Sequence, residues 1–598
     1  MSTQINVLDN KRLYFSFMAG AKEVVAQKNA LNAINVFPVI DGDTGTNLAS
    51  MMHTILNESR LEDDVEKTLE SIADAALIGA RGNSGIIFAQ YLNGLIATLK
   101  EEDTVDLSHY ARSIQEAVPY AYEAISNPVE GTMITLMREW SEAIERQRSI
   151  KKDFLDALLE AYEILKQSLQ RTTETLKVLK DHKVVDAGAK GFLHFTEGFI
   201  NFIQTGKTKD LPVQKAEEKL EISHEDASQE PHRYCTEALI SGNKLNAGAV
   251  RKVMQQYGDS LVVAGNDKRV RLHIHTDTPQ DVFHDLREYG HIDEQKVDDM
   301  YKQHEIIHNR KHDIALLTDS IADIPESFID DHQIHVLPLN LMIEGSNYYD
   351  RLTITAERFY EVMDEVDTYP TSAQPNLKHM ENVFSFLSSH YSKIIAVTVS
   401  SKMSGTYGVF KKAAESVKDG STDIRVIDSK QNSGAQGLLV KDAAEMIASG
   451  ADMDTIERSI KAKRDDVKIL VSVQTLKYMV RSGRVGKVTG IIGKLTNLKP
   501  VISIDNEGEG MIFSKGVSLK SSTKKIMDQV SKAHEQHGIK RYVIVHAAAK
   551  DRADAYEKAF TELLGIEPEY VMSISPIVAM NAGIGTVAVA YQTKPTQT

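Results

Sequence analysis

Between residue 1 and about residue 205, apolar positions recur every three or four residues. Leu13, Phe17, Ala21 and Val24 form one such stripe, and Leu69, Ile72, Ala76 and Gly79 form another. That spacing puts each set on one face of a helix. Asp153 to Lys180 keeps the same rhythm, and strand-like alternation is scarce in this part of the chain. From Gly206 to about Arg233 the sequence turns polar and charged, which predicts a linker. The runs YCTEALI, SLVVAG and VRLHIHT then read as strands of a small α/β segment that ends near Ile307. From Ile314 onward the runs IALL, HVLPLNLMI, IIAVTV, IRVID, KILVSV and RYVIVHA alternate with helical stretches. This alternation predicts an α/β domain with a largely parallel sheet. One segment, Tyr570 to Thr593, lacks charge and is long enough to span a bilayer. Pro576, Asn581, Gly583 and Gly585 break it into two β-branched runs, so strand, turn, strand in a buried sheet is predicted, with no integral membrane segment. The expected organisation is thus multidomain: an all-α domain over 1–205, a linker over 206–232, a small α/β domain over 233–308 and an α/β domain over 312–594.

A chain of 598 residues is too long for one core, which agrees with this division. The formal charge of −15 argues against nucleic acid as a partner, because phosphate backbones need a basic surface. The single cysteine precludes an intrachain disulfide and fits a reducing, cytoplasmic setting. Asp9, Lys11 and Arg12 precede any long apolar run, so no signal peptide is expected.

Four runs carry candidate chemistry in the helical part. In NVFPVIDGDTGTN, Asp41 and Asp43 flank a glycine, and one tight turn can aim both carboxylates at one point. Paired carboxylates suit Mg²⁺, which prefers hard oxygen ligands and keeps phosphate oxygens as partners. Thr44, Thr46 and Asn47 would then offer donors to phosphate. The plain alternative is an Asp-Gly surface turn. GARGNSG, Gly79 to Gly85, interrupts one helix and reopens another at Ser84, and glycines at a helix start let backbone N–H groups approach an anion. VEGTMIT and VVDAGAKG again put glycine and polar residues at helix junctions.

In the middle segment His273 and His275 are two apart, so a strand puts both on one face, opposite Val270, Leu272 and Ile274. With Cys235 they form a donor set suited to Zn²⁺, with Glu237 as a candidate fourth ligand. The alternative is two hydrogen-bonded histidines and an inert buried thiol. Further on, VSSKMSGTY, Val399 to Tyr407, joins a strand to a helix and would cradle an anion or simply cap that helix. SVQTLKYMVRSGRVG ends a helix near Gly483 and Arg484.

DGDTGTN, GARGNSG, GTM and DAGAKG, in that order on a helical background, resemble the ATP-binding domain of the dihydroxyacetone kinase L-subunit family. The nearest resemblance is to the ATP-binding subunit of bacterial fatty acid kinase. It implies an antiparallel helical barrel that holds Mg-ATP at one end. By motif, Asp41 and Asp43 would bind Mg²⁺ and act in catalysis, with Asn35 as a third ligand. Thr44, Thr46, Asn47, Asn83 and Ser84 would hold phosphates, and Thr132, Met133, Asp186 and Gly188 would lie near ribose and base. YCTE and HIHT are similar to the middle domain of the same fatty acid kinase component, which supports zinc on Cys235, His273 and His275. Residues 312 to 594, through TDSIADIP, VSSKMSGTY and the runs around them, resemble the DegV family, the acyl-binding partner of fatty acid kinase. In that family a fatty acid lies in a cavity, which implies that Ser404, Gly405 and Thr406 contact its carboxylate and that Arg484 lies near. Two departures stand out. TSAQP replaces the usual TSQP, leaving Thr371 or Ser372 for the carboxylate, and NAGIG replaces HTGPG, so Asn581 stands where a histidine is usual. Asparagine hydrogen-bonds but carries no charge.

The resemblances imply an ATP-dependent kinase that phosphorylates the carboxylate of a long-chain fatty acid, with ATP and Mg²⁺ as cofactors and zinc as a further ligand. A carboxylate is already ionised and needs no general base, in accord with the lack of a base motif. They also imply a homodimer and an acyl-phosphate acyltransferase as partner, in phospholipid metabolism. Two rival readings are a kinase of dihydroxyacetone or another small hydroxylated substrate, and a lipid carrier without catalysis.

Overall fold

A computed structural model describes residues 5–37, 42–99, 104–150, 153–207, 232–363, 366–417, 422–482 and 498–594. Asp41, Arg484 and most of the expected linker lie outside the described residues. The chain forms two compact units, Met1–Met300 and Tyr301–Thr598.

The first unit opens with β1 (Val7–Leu8), α1 (Asn10–Ala26), α2 (Lys28–Asn32), α3 (Thr44–Glu58), α4 (Val65–Gly79), α5 (Gly82–Leu99) and β2 (Val105–Asp106). It continues with α6 (Leu107–Ala124), α7 (Met133–Arg148), α8 (Phe154–Thr175), α9 (Lys177–His182) and α10 (Ala187–Thr205). Aspartates start many of these helices. Asp9, Asp64, Asp106, Asp153 and Asp186 each accept the N–H three residues on, which satisfies a backbone donor that the helix itself cannot. The apolar stripes face inward: Leu13, Phe17, Ala21 and Val24 are buried, as are Leu69, Ile72 and Ala76. Packing runs in a closed ring, α1 on α3, α3 on α4, α4 on α5, α5 on α6, α6 on α7, α7 on α8, α8 on α10 and α10 on α1. The rings of Phe17, Phe88, Phe192, Phe195 and Phe199 meet inside it, several edge to face.

The same unit holds β3 (Tyr234–Ser241), α11 (Ala247–Met254), β4 (Gly258–Gly265), β5 (Arg269–Thr276), α12 (Pro279–Leu286) and β6 (His291–Asp299). The four strands form an antiparallel sheet of order β4-β5-β3-β6. Both faces of β5 are buried: Val270, Leu272 and Ile274 on one side, Arg271, His273 and His275 on the other. The second face is covered because the sheet packs against α4 and α5. Gln90 of α5 accepts the Gly265 N–H at 2.9 Å, and Val262 and Ala264 join the apolar core of the helical ring.

After α13 (Met300–His308), the second unit contains β7 (Ile314–Asp319), α14 (Glu326–Asp331), β8 (His335–Leu337), β9 (Asn340–Ile343), β10 (Ser346–Tyr349), α15 (Ala356–Val362), β11 (Thr371–Ala373), α16 (Leu377–His390), β12 (Lys393–Thr398), α17 (Thr406–Val417) and β13 (Asp423–Asp428). There follow α18 (Ser433–Ala448), α19 (Met453–Lys463), β14 (Val467–Ser472), α20 (Lys477–Ser482), β15 (Val501–Ile504), β16 (Gly510–Ser514), α21 (Leu519–His537), β17 (Ile539–His546), α22 (Lys550–Leu564), β18 (Val571–Ser573), α23 (Pro576–Ala582) and β19 (Val587–Thr593). Helix α18 is buried nearly all round because it packs on strands of two sheets, β7 and β12 on one side and β14, β17 and β19 on the other.

Two expectations are corrected here. The sheet β13-β12-β7-β8 is parallel, but in the six-stranded sheet β16-β15-β14-β19-β17-β18 only the β17–β18 pair is parallel. Alternating strand and helix signals report burial, not which strands become neighbours; β14 pairs with β19, far away in sequence. Tyr570 to Thr593 is strand, helix, strand: Ser575 caps α23 and Pro576 occupies its first turn, so the expected turn is helical. No helix among the described residues is long and apolar enough to cross a membrane.

Candidate functional site

At one end of the helical ring the four sequence motifs converge. The carbonyl oxygen of the Asn35 side chain accepts the Thr44 N–H at 2.7 Å, and that of Asn32 accepts the Thr46 N–H at 3.0 Å. Asn32 Nδ2 also donates to the Thr46 hydroxyl at 2.9 Å. Two asparagines therefore cap α3, while Asp43, at the N-cap position, makes no capping bond with its side chain. Asn35 is buried, and its oxygen holds the start of α3 through Thr44. Asn32 does not stand out in the sequence; its place at the end of α2, shortly before the DGDTGTN run, is the available signal.

Asn47, in the first turn of α3, lies against Gly82 at the start of α5. Gly82 has φ +56°, which favours glycine, and a Cβ there would overlap the Asn47 amide, so a larger residue would displace Asn47. The next two residues are Asn83, whose Oδ1 is buried without a hydrogen-bond partner, and Ser84. Ser84 abuts α10: a Cβ on Gly188 would lie 3.1 Å from Ser84 Oγ and 3.6 Å from Met133 Cβ. Asp186 caps α10 through Ala189 N–H at 2.7 Å and also accepts the Met133 N–H at the start of α7. Burial raises its carboxyl to about 6, against the lowering effect of those two bonds. The Thr132 hydroxyl donates to Val129 O at 2.8 Å. The starts of α3, α5, α7 and α10 thus touch in series, with Asn47 on Gly82, Ser84 on Gly188 and Asp186 on Met133. Four helix N-termini at one place bring positive dipole ends together, an arrangement that favours an anion.

The middle sheet borders this end. Antiparallel register sets Cys235 opposite His275 and Glu237 opposite His273. One ligand atom from each of Cys235, His273 and His275 lies within 4.8 Å of the other two, and Cys235 Sγ is 3.8 Å from His273 Nδ1. A thiol and two imidazoles fit a tetrahedral Zn²⁺ with its fourth position left over. His273 Nε2 is buried without a partner, and burial holds this imidazole below its usual range, in the neutral form a metal needs. Burial, with the charges of Glu237, Asp298 and Asp43 added to it, pushes the Cys235 thiol up. A bound cation would offset that field. Glu237 does not join the ligand atoms. Its Oε1 accepts the Gly82 N–H at 2.7 Å and lies 3.6 Å from His273 Nδ1.

The second unit encloses a cavity of about 1310 Å³, counting the space open at its mouth. Its wall is mostly aliphatic, with Val399, Ile469, Val471, Ile502 and Ile577 among the lining residues. Its polar lining residues include Ser372, Gln374, Ser404, Asn432 and Asn581. Ser372 lines the cavity, and Thr371, its exposed neighbour on β11, does not. Ser404 Oγ is 2.8 Å from Thr406 Oγ1, and Gly405 sits under the Gln374 side chain. Asn581 donates from Nδ2 to Ile577 O at 2.7 Å, and its Oδ1 is buried without a partner. Three buried aspartates brace the loops around this cavity. Asp319 accepts the Val399 N–H at 2.7 Å, Asp350 accepts the Ile577 N–H at 3.1 Å, and Asp323 accepts the Ser575 N–H at 3.0 Å beside its partner Arg351. Burial raises Asp319 and Asp350 to about 6. Asp319 and Asp323 belong to the TDSIADIP run noted in the sequence, but their bracing partners are distant in it and could not be read there.

Family models match three parts of the chain. Residues 38–201 match the DAK2 domain, residues 231–307 the FakA-like middle domain of fatty acid kinase, and residues 313–594 the uncharacterised DegV family. The chain therefore joins a DAK2 domain, a FakA-like middle domain and a DegV domain. An uncharacterized protein of Staphylococcus haemolyticus is 32% identical over 325 residues, 51% of this chain and 58% of its own length. Protein YloV of Bacillus subtilis is 30% identical over 315 residues, 50% of this chain and 57% of its own. The chain thus spans less than three fifths of the length of these curated relatives. Among solved structures, a fatty-acid-binding DegV family protein of Thermus thermophilus (TM-score 0.44, 24% identity) covers 47% of this chain and 99% of its own. DegV of Bacillus subtilis, a fatty acid binding protein, gives the same TM-score and identity over 47% and 100%.

Proposed function

We propose that this protein is an ATP- and Mg²⁺-dependent fatty acid kinase. The observation that carries the reading is the meeting of four helix N-termini, each bearing one of the DAK2-type motifs, in a chain that also holds a DegV domain with an apolar cavity. Thr44, Thr46, Asn47, Asn83 and Ser84 would receive the phosphates, and Thr132, Met133, Asp186 and Gly188 would border the ribose and base. Asp41 and Asp43 would hold Mg²⁺, which neutralises charge on the phosphate oxygens when bound. Cys235, His273 and His275 would hold zinc, which would tie β3 to β5. In the transfer, a carboxylate oxygen of the fatty acid forms the new bond to the γ-phosphorus. The bond from that phosphorus to the β–γ bridging oxygen breaks, and ADP leaves with the electron pair. No proton moves, so catalysis reduces to positioning and charge neutralisation.

Ser372, Ser404, Gly405, Thr406 and Asn581 would take the carboxylate in the DegV domain, together with Arg484. Tail burial would supply the affinity: at ~0.8 kcal/mol per methylene, a long chain contributes on the order of 10 kcal/mol before the costs of association. The acyl phosphate formed would then serve an acyltransferase. Mass spectrometry of the purified protein for retained lipid, with ATP turnover measured with oleate, with dihydroxyacetone and with neither, tests the reading. Retained fatty acid and oleate-dependent turnover are expected. Turnover with dihydroxyacetone alone would overturn the assignment of the acceptor.

A further inference from the structure

The first turn of α5, Gly82–Ser84, is held from outside its own domain. Glu237, on β3 of the middle sheet, accepts the Gly82 N–H at 2.7 Å through Oε1, a buried bond between residues far apart in the chain. Its other oxygen, Oε2, lies 3.7 Å from the guanidinium of Arg271, which is itself only 2% exposed. The residue before Gly82 is held too. Arg81 Nη2 donates to Glu294 Oε2 at 2.9 Å, and Arg271 Nη1 donates to that same oxygen at 2.9 Å. Two middle-domain carboxylates joined through one buried arginine thus grip two consecutive residues at the start of α5. Gly82 cannot brace itself: it has φ +56° and no side chain.

The geometry points to Glu237 as a positioning residue for nucleotide binding: it seats the phosphate loop of the helical ring from the middle sheet, so that nucleotide affinity and the order of β3 and β5 are linked. This rests on the reading that Gly82–Ser84 holds phosphate. Glu237 touches neither nucleotide nor acceptor in this account and acts only through Gly82. By reciprocity, a nucleotide that orders the loop must also order the strand that grips it.

Two measurements on the full chain test this. The first follows amide hydrogen exchange in the wild type with and without Mg-ADP. Protection is expected at 82–86 and also at 235–239 and 271–275. If Mg-ADP does not bind, or leaves 82–86 unprotected, the phosphate-loop reading falls. If it protects 82–86 but not the two strands, the linkage alone is overturned. The second compares Mg-ADP affinity by calorimetry in Glu237→Ala and Glu237→Gln, with metal content measured in each. Glu237→Ala is expected to weaken binding about ten-fold and to speed exchange at Gly82. Glu237→Gln, which keeps an acceptor oxygen, should stay within about three-fold of wild type. Cys235, His273 and His275 should keep their metal in both variants. Unchanged affinity and unchanged Gly82 exchange in Glu237→Ala would overturn the proposal. If that variant does not fold, the wild-type exchange experiment decides alone.

Discussion

Replacing Gly82 with alanine separates backbone strain from damage to the site. An alanine at φ +56° costs about 1–2 kcal/mol relative to the right-handed region. Stiffening the unfolded chain returns about 0.4–1 kcal/mol, so strain alone predicts a net loss near ~1 kcal/mol. Gly82→Ala also drives a Cβ into the Asn47 amide, which must move. Gly206 supplies the control. It has φ +66° at the end of α10, and a Cβ there would meet nothing within 4 Å. Gly206→Ala should therefore show the strain cost with no effect on ligand binding. Urea unfolding of both variants, paired with Mg-ADP calorimetry, reads the two effects. Gly206→Ala is expected to lose about 1 kcal/mol and Gly82→Ala more than that, with at least a ten-fold rise in Kd, about 1.4 kcal/mol, for Gly82→Ala only. Equal Mg-ADP affinity in Gly82→Ala and wild type would refute the placement of the phosphates at this loop.

Asp186 gives a pH signature. Its folded carboxyl is raised to about 6 from 3.8, so the folded state takes up a proton between those values and this group makes the protein more stable as pH falls from 7 to 5, by about 1 kcal/mol. Asp186→Asn should flatten that part of the wild-type stability–pH curve, as read from denaturant midpoints at pH 7 and pH 5; an unchanged slope would contradict it. Shortening the fatty acid by two methylenes should weaken binding to the full chain by roughly fifteen-fold, from ~0.8 kcal/mol per methylene, in a displacement titration that compares C18 with C16. With Ser404 placed at the head group by the proposal, Ser404→Ala should weaken every chain length by the same factor. Cys235→Ala should lower bound zinc to background by elemental analysis and lower the thermal midpoint of the first unit, and zinc retained at one per chain would exclude this cluster as its site.

The helical ring was legible because its stripes are long and strongly periodic, and the order of the four motifs was legible because each lies within a few residues of a helix start. Their meeting was not. Asn47 touching Gly82, and Ser84 touching Gly188, depend on which helices become neighbours around the ring, and periodicity carries no such information. That His273 and His275 share a face follows from their spacing, whereas the placing of Cys235 opposite His275 is made by the pairing of β3 with β5. Glu237 shares a face with Cys235, which makes it a ligand candidate in the sequence; the helical domain lying over that face turns it toward Gly82 instead. Strand direction in the six-stranded sheet and the helical form of residues 576–582 were not legible for a related reason: short apolar runs record burial, and the pairing that decides direction is made with distant strands. Ser372 rather than Thr371 lines the cavity, a choice that the inserted Ala373 left open in the sequence.

The central claim is carboxylate phosphorylation, and trapping the product tests it most directly. The full chain is incubated with Mg-ATP, oleate and hydroxylamine, which converts an acyl phosphate to a hydroxamate that mass spectrometry detects. The account predicts oleoyl hydroxamate in proportion to ADP formed, dependent on Mg²⁺ and lost in Asp43→Ala. ADP formation that proceeds at the same rate without oleate and yields no hydroxamate would contradict it.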